Sequence, residues 1–179
     1  MPPLFLSDHA GLQDAARRIA NRLPDLHGAP IQLQRIPGLR DRRGPVHAGS
    51  FLRERRIAFD CTASEFPRIF IHELFHFAWI RAGNARRWSF EALVQAEFRS
   101  RARGELGWSA EWRKADLDAA DLRLRTRPWR DYCCESFCDT AAWMYSGVTR
   151  HPEFTLPERY RKRRRRWFES EMAAEGLSI

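Results

Sequence analysis

Lysine is nearly missing from this chain. Of its 31 basic residues 29 are arginine, with Lys114 and Lys162 the exceptions. No stretch of 18 consecutive apolar residues occurs, which argues against a membrane-spanning helix and a membrane partner. The opening MPPLFLSDHAG has no basic lead and too short an apolar run for a secretory signal, so a cytoplasmic location is expected. Cysteine is scarce: Cys61, Cys133, Cys134 and Cys138 are all there is. In a reducing compartment these stay thiols, and without paired C-x-x-C knuckles they do not form a zinc ribbon. Internal repeats, low-complexity linkers and a clear domain boundary are absent too, so residues 1–179 read as a single domain.

What is present belongs to a folded protein. Hydrophobic residues make up 44% of the chain and seven are tryptophan, enough to bury a core in a domain of this length. The tryptophans at 79, 108, 112, 129 and 143 are expected in that core, as are Cys133, Cys134 and Cys138, because free cysteine behaves as a small hydrophobe. The net charge of +8 points toward nucleic acid. Yet most arginines are interspersed with acids, as on an ordinary solvated surface, and only RYRKRRRRWF, 159–168, is a concentrated block. On a helix its arginines spread nearly all round, with Tyr160 and Trp167 to pin it, so nucleic acid ranks behind other partners.

Hydrophobic periodicity gives an α+β chain rich in helix. Leu12, Ala16, Ile19 and Leu23 recur at helical spacing within residues 9–23, and Pro24 ends the run. IQLQRI, 31–36, alternates as a strand does, and two more strands are expected at 46–52 and 56–60. The RER between them would be a hairpin loop lacking the glycine such loops favour. A helix over 64–82 follows, with Ser64 as N-cap, Pro67 in the first turn and Gly83 or Asn84 as its stop. Further helices are expected over 89–104, 109–124, 131–146 and 157–174, the fourth of these opened by Asp131 and closed by Gly147. A small twisted sheet thus precedes the central helix.

That helix carries IFIHELFHFAWI, an apolar run interrupted by His72, Glu73 and His76. Buried polar groups need compensation. Positions i and i+4 lie on one helix face, so His72 and His76 present two imidazoles to one point, suited to Zn²⁺ at ~2.0–2.1 Å. Glu73, about 100° round the helix, stands where it can take a proton from a zinc-bound water. A third protein ligand is required. The candidates are His151, the only later histidine, and Glu135, in DYCCESFCDTAAWMYSG. Glu135 and Asp139 are again i and i+4, so one can bind the metal while the other orients a histidine.

HELFH followed by E-S-F-C-D, with Glu135 59 residues beyond His76, resembles the gluzincin group of zinc metallopeptidases, small single-domain form. The resemblance covers about 9–147 and rests on five residues. It implies a zincin-like fold, His72, His76 and Glu135 as zinc ligands, Glu73 as general base, and Asp139 as the carboxylate that orients a ligand histidine. Many gluzincins have asparagine before the third ligand, where this chain has Cys134. His151, in a loop after the Glu135 helix, is the candidate for stabilising the transition state, with Tyr145 and Tyr160 behind it. The expected activity is zinc-dependent hydrolysis of a peptide or protein substrate lying as an added strand along 46–52. The rival expectation is a non-catalytic zinc protein that uses its basic C-terminal helix to contact nucleic acid.

Overall fold

The computed structural model describes residues 4–41, 44–172 and 176–179. Its architecture is α+β and rich in helix, with the main sheet ahead of the central helix in the chain. β1 (Phe5–Leu6), β3 (Ile31–Arg35), β5 (Arg56–Phe59) and β4 (Ala48–Phe51) form the sheet in that spatial order. β1, β3 and β5 run parallel, and β4 pairs antiparallel to β5, with Ser50 opposite Ile57, and forms one edge. The tight connection from β4 to β5 has Arg55 at φ 49°, a left-handed position taken here by arginine instead of glycine. Arg55 is held there by hydrogen bonds to Pro30 O and Ala29 O. A second, two-stranded sheet pairs β2 (Leu26–His27) with β6 (Leu177–Ser178).

The helix expected over 9–23 is α1 (Ala10–Ala20). The one expected over 64–82 is α2 (Phe66–Arg81), with Pro67 in its first turn. Ser64 does not cap it; Thr62 Oγ1 instead accepts from Glu65 N at 3.3 Å. α2 buries residues around its whole circumference, Phe70, Ile71, Leu74, Phe75 and Phe77 among them, as a central helix must. Gly83, with φ 70°, turns the chain without a loop into α3 (Gly83–Arg99), which therefore begins six residues before the expected Ser89.

The single helix expected over 109–124 is two, α4 (Trp108–Ala115) and α5 (Ala119–Leu124). Asp118 accepts from Ala120 N and Asp121 N and starts a new helix where the old one would have continued. α6 (Arg127–Tyr145) opens at Thr126 with Pro128 in its first turn, one turn ahead of Asp131. α7 (Glu158–Glu171) is the arginine-rich helix; residues 173–174 of the expected span lie outside those described.

One core joins the sheet, α2, α3 and α6, and its centre is a cluster of aromatic rings around Phe137, Phe90 and Phe168. Trp79 and Trp129 are buried in it as expected, whereas Trp108 and Trp112 are 54% and 62% exposed and meet edge to face on the outside of α4. α7 is pinned by more than aromatics. Arg164 is fully buried, donating to Glu97 of α3 at 2.7 Å and to Glu105 at 2.8 Å. Lys114 and Tyr132 complete the set by donating to Glu105. Two cations thus offset two carboxylates in the interior, as burial of charge demands. Among the described residues no helix is long and apolar enough to cross a membrane.

Candidate metal centre

α2 and α6 lie along each other as the most extensively packed pair of elements, and the polar groups of both meet at that seam. His72 and His76 stand one turn apart with ring centroids 5.0 Å from each other. Across from them on α6, Glu135 Oε2 is 3.2 Å from His72 Nε2, and Asp139 Oδ1 accepts from His72 Nδ1 at 2.7 Å. Potential ligand atoms of His72, Glu73 and His76 lie within 4.8 Å of one another. The structure therefore brings His72, Glu73, His76, Glu135 and Asp139 to one place.

Two observations test whether these residues fit a zinc ion. Four ligands at ~2.0–2.1 Å in a tetrahedron are separated by about 3.3 Å, and the 3.2 Å between His72 Nε2 and Glu135 Oε2 matches. The Asp139 bond fixes the Nδ1–H tautomer of a neutral His72, which turns the Nε2 lone pair toward the shared point. The donor set fits. Asp139 is itself held: Ser109 Oγ donates to it at 3.2 Å and Ala110 N, in the first turn of α4, at 3.3 Å. Gly107, just before that turn, leaves room for the carboxylate, since a Cβ there would fall 2.2 Å from its Oδ1.

Charge and hydrogen bonding also tie these groups to one another. Burial opposes charge on His72, but Asp139 and Glu135 overcome it and raise the imidazole well above its usual range. His76 is likewise pushed up to about 9 against burial, chiefly by Cys134 and then by Glu135. Burial also opposes charge on Glu135, but His72, His76 and Arg113 hold it far below the usual carboxylate range. Arg113 Nη2 lies 3.0 Å from its outer oxygen.

Three neighbours of the centre carry no signature in the sequence motif. Ser50 of β4 donates to Glu73 Oε2 at 2.6 Å and lies 2.8 Å from Glu73 O. Arg113 of α4 holds Glu135. Cys134 Sγ lies 3.4 Å from His76 Nδ1, and the potential ligand atoms of His76, Cys134 and Cys138 lie within 4.8 Å of one another, so Cys134 and Cys138, unlike the buried Cys133, do more than fill space. Hydrogen bonding from Cys138, the strongest influence, and then His76 bring the Cys134 thiol down to about 6 despite burial. Only Cys134 had a sequence cue, its place directly before Glu135; Ser50 and Arg113 each sit 22 residues from the nearest motif residue.

The structure places His151 elsewhere among the described residues. Its Nε2 lies 3.4 Å from Glu65 Oε1, its Nδ1 accepts from Glu153 N at 3.3 Å, and its ring rests on Phe154. Arg68, one turn before His72, ties Glu65 to Glu153 in the same network. Tyr145 stacks on Phe75, and Tyr160 lies in a small satellite core with Leu106 and Leu156.

Compared with known proteins, the chain matches no family profile, no curated protein and no solved structure. The geometry of the centre carries the functional reading unaided.

Proposed function

We propose that this protein is a zinc-dependent peptidase of gluzincin type. The single observation that carries the reading is the pairing of α2 with α6. It sets Glu135 at ligand distance from His72, and Asp139 on the far nitrogen of the same ring. His72 Nε2, a nitrogen of His76 and a carboxylate oxygen of Glu135 would hold the ion. When bound, zinc supplies Lewis acidity and a water with a pKa of ~7.

The rest is the work of the chain. Glu73, adjacent to the histidines and 9% exposed, is placed to take the proton of the attacking water and return it to the leaving amine. Ser50 orients that carboxylate. Asp139 keeps the proton of His72 on Nδ1, and Arg113 fixes the rotamer of Glu135. β4 is an edge strand whose Ser50 touches Glu73, so its unpaired side runs beside the centre and suits an extended peptide added as a further strand. His151 lies one network away, through Glu65 and Arg68.

Elemental analysis and a peptide-library assay test the proposal together. Wild type should carry one zinc per chain, and His72→Ala should carry none. Glu73→Gln should keep the metal and lose hydrolysis by about 10²-fold or more, since an amide cannot accept the proton. Equal activity of Glu73→Gln and wild type would remove Glu73 from the mechanism. Metal retained by Glu135→Ala at wild-type affinity would remove the gluzincin assignment. The nucleic-acid reading is less well supported, because the centre of the arginine block, Arg164, faces the interior.

A further inference from the structure

A sizeable cavity lies away from the metal centre. A cleft of about 710 Å³ opens between α1, the C-terminal ends of β3 and β5, and the first turn of α2, and none of the candidate zinc ligands lines it. Its volume is that of a small-molecule site. The floor is apolar, made by Leu12, Ala15 and Ile19 of α1, Phe59 of β5 and Phe66 of α2. Cys61 adds to it, since burial, the largest influence, pushes its thiol up to about 11 and keeps it neutral.

The wall has a charge of one sign. Arg18, Arg22 and Arg35 line the cleft, and no carboxylate is among its lining residues. In a chain with 23 acids, most of them interspersed with arginine, this segregation stands out. Arg22 is anchored, its Nη1 donating to Ser146 O at 2.7 Å while its head passes so close to Gly147 that a Cβ there would collide with it. Arg18 and Arg35 have no ion pair among the described residues and are exposed at the mouth.

We propose that this cleft binds a small amphipathic carboxylate, its apolar tail on the Leu12–Ile19–Phe59–Phe66 floor and its head between Arg18, Arg22 and Arg35. Arginine is the side chain suited to such a head, because its planar fork can meet both oxygens at once. The apolar floor excludes a purely ionic ligand as the best occupant: inorganic anions would gain the arginines and leave the floor in water. The site is separate from the metal centre and stands or falls without it.

Isothermal titration of the full-length protein with decanoate, kept below its micellar concentration, tests the proposal, with decanol and decyl phosphate titrated alongside. Decanoate should bind one per chain, and decanol at least about tenfold more weakly, because only the headgroup differs. The double variant Arg18→Gln/Arg35→Gln should weaken decanoate by about tenfold or more and leave decanol unchanged. Gly11→Phe supplies the apolar control. Gly11 lines the cleft, and a Cβ added there meets nothing within 4 Å, so the variant should keep the wild-type thermal midpoint while abolishing binding. Equal affinity for decanoate and decanol, binding that survives both variants, or binding of decyl phosphate with none of decanoate would each overturn the assignment.

Discussion

A serine hydroxyl has one proton to give, and Ser50 has two acceptors within reach, Glu73 Oε2 at 2.6 Å and Glu73 O at 2.8 Å. The shorter, charge-assisted bond to the carboxylate is the stronger. Ser50→Ala should therefore keep zinc and fold while lowering kcat by about tenfold or more, the equivalent of losing a hydrogen bond to a charged group of ~1.5–3 kcal/mol. Unchanged kcat in a peptide assay would reduce Ser50 to a packing residue. The two histidines give a second expectation. Folded and metal-free, His76 titrates at about 9 and His72 also lies well above its usual range, against ~6.5 in the unfolded chain. The stability this pair contributes is full below about pH 6.5 and drains away as pH rises through about 9. Zinc needs both rings deprotonated, so its uptake at pH 7 should release protons and its affinity should climb with pH. Thermal midpoints with and without chelator from pH 6 to 9.5 should diverge, the metal-free curve falling as the loaded one rises; parallel curves would contradict this. At this scale the sequence exposes what a single helix can align. His72 and His76 share a face of α2, and Glu135 and Asp139 a face of α6. It does not expose Ser50 or Arg113, whose roles exist only once β4 and α4 have docked.

Elements were legible where their signal is longer than their ends. α2 and β3 follow from an apolar run and a strict alternation, and Pro67 marks the start of α2 on its own. β1, β2 and β6, at two residues each, are too short for a period of two to register. Gly83 reads as a stop and is one, yet nothing local says that the next helix starts on the same residue. The arginine-rich α7 was the least transparent. Charge counted along its sequence suggests a helix solvated all round, but Arg164 is directed inward because Glu97 and Glu105 await it, 67 and 59 residues away. Arg164→Met should leave those carboxylates short of a partner and cost about 3–5 kcal/mol, whereas the exposed Arg163→Gln should stay within about 0.5 kcal/mol of wild type. Urea unfolding of the two variants measures the difference. Similar midpoints would mean that aromatic packing alone holds α7.

For the molecule as a whole, the net charge of +8 sets an upper bound on any electrostatic attraction to nucleic acid. With Arg164 withdrawn, Arg159 and Arg165 lying over Tyr160 and Trp143, and Lys162 paired with Glu158, the block leaves Arg161, Arg163 and Arg166 for phosphates. Duplex binding should be weak and indifferent to sequence, with a log–log salt slope shallower than about −3 at ~−0.9 per phosphate neutralised. Titrating a labelled duplex at several salt concentrations decides this. Tight binding near physiological salt, abolished by Arg163→Gln/Arg166→Gln, would make nucleic acid a genuine partner. The division of the proposed zinc ligands between α2 and α6 also has a consequence in time. Glu135 is translated 59 residues after His76, which at ~5–20 residues per second is a delay of roughly 3–12 s. During that interval the nascent chain offers a bare pair of imidazoles, a motif that copper or nickel would occupy in preference to zinc on affinity alone. Because the carboxylate arrives late and on a separate helix, the proposed site would stay open until α6 has been made and has docked against α2, and the ion it took would be the one the cell supplies at that moment.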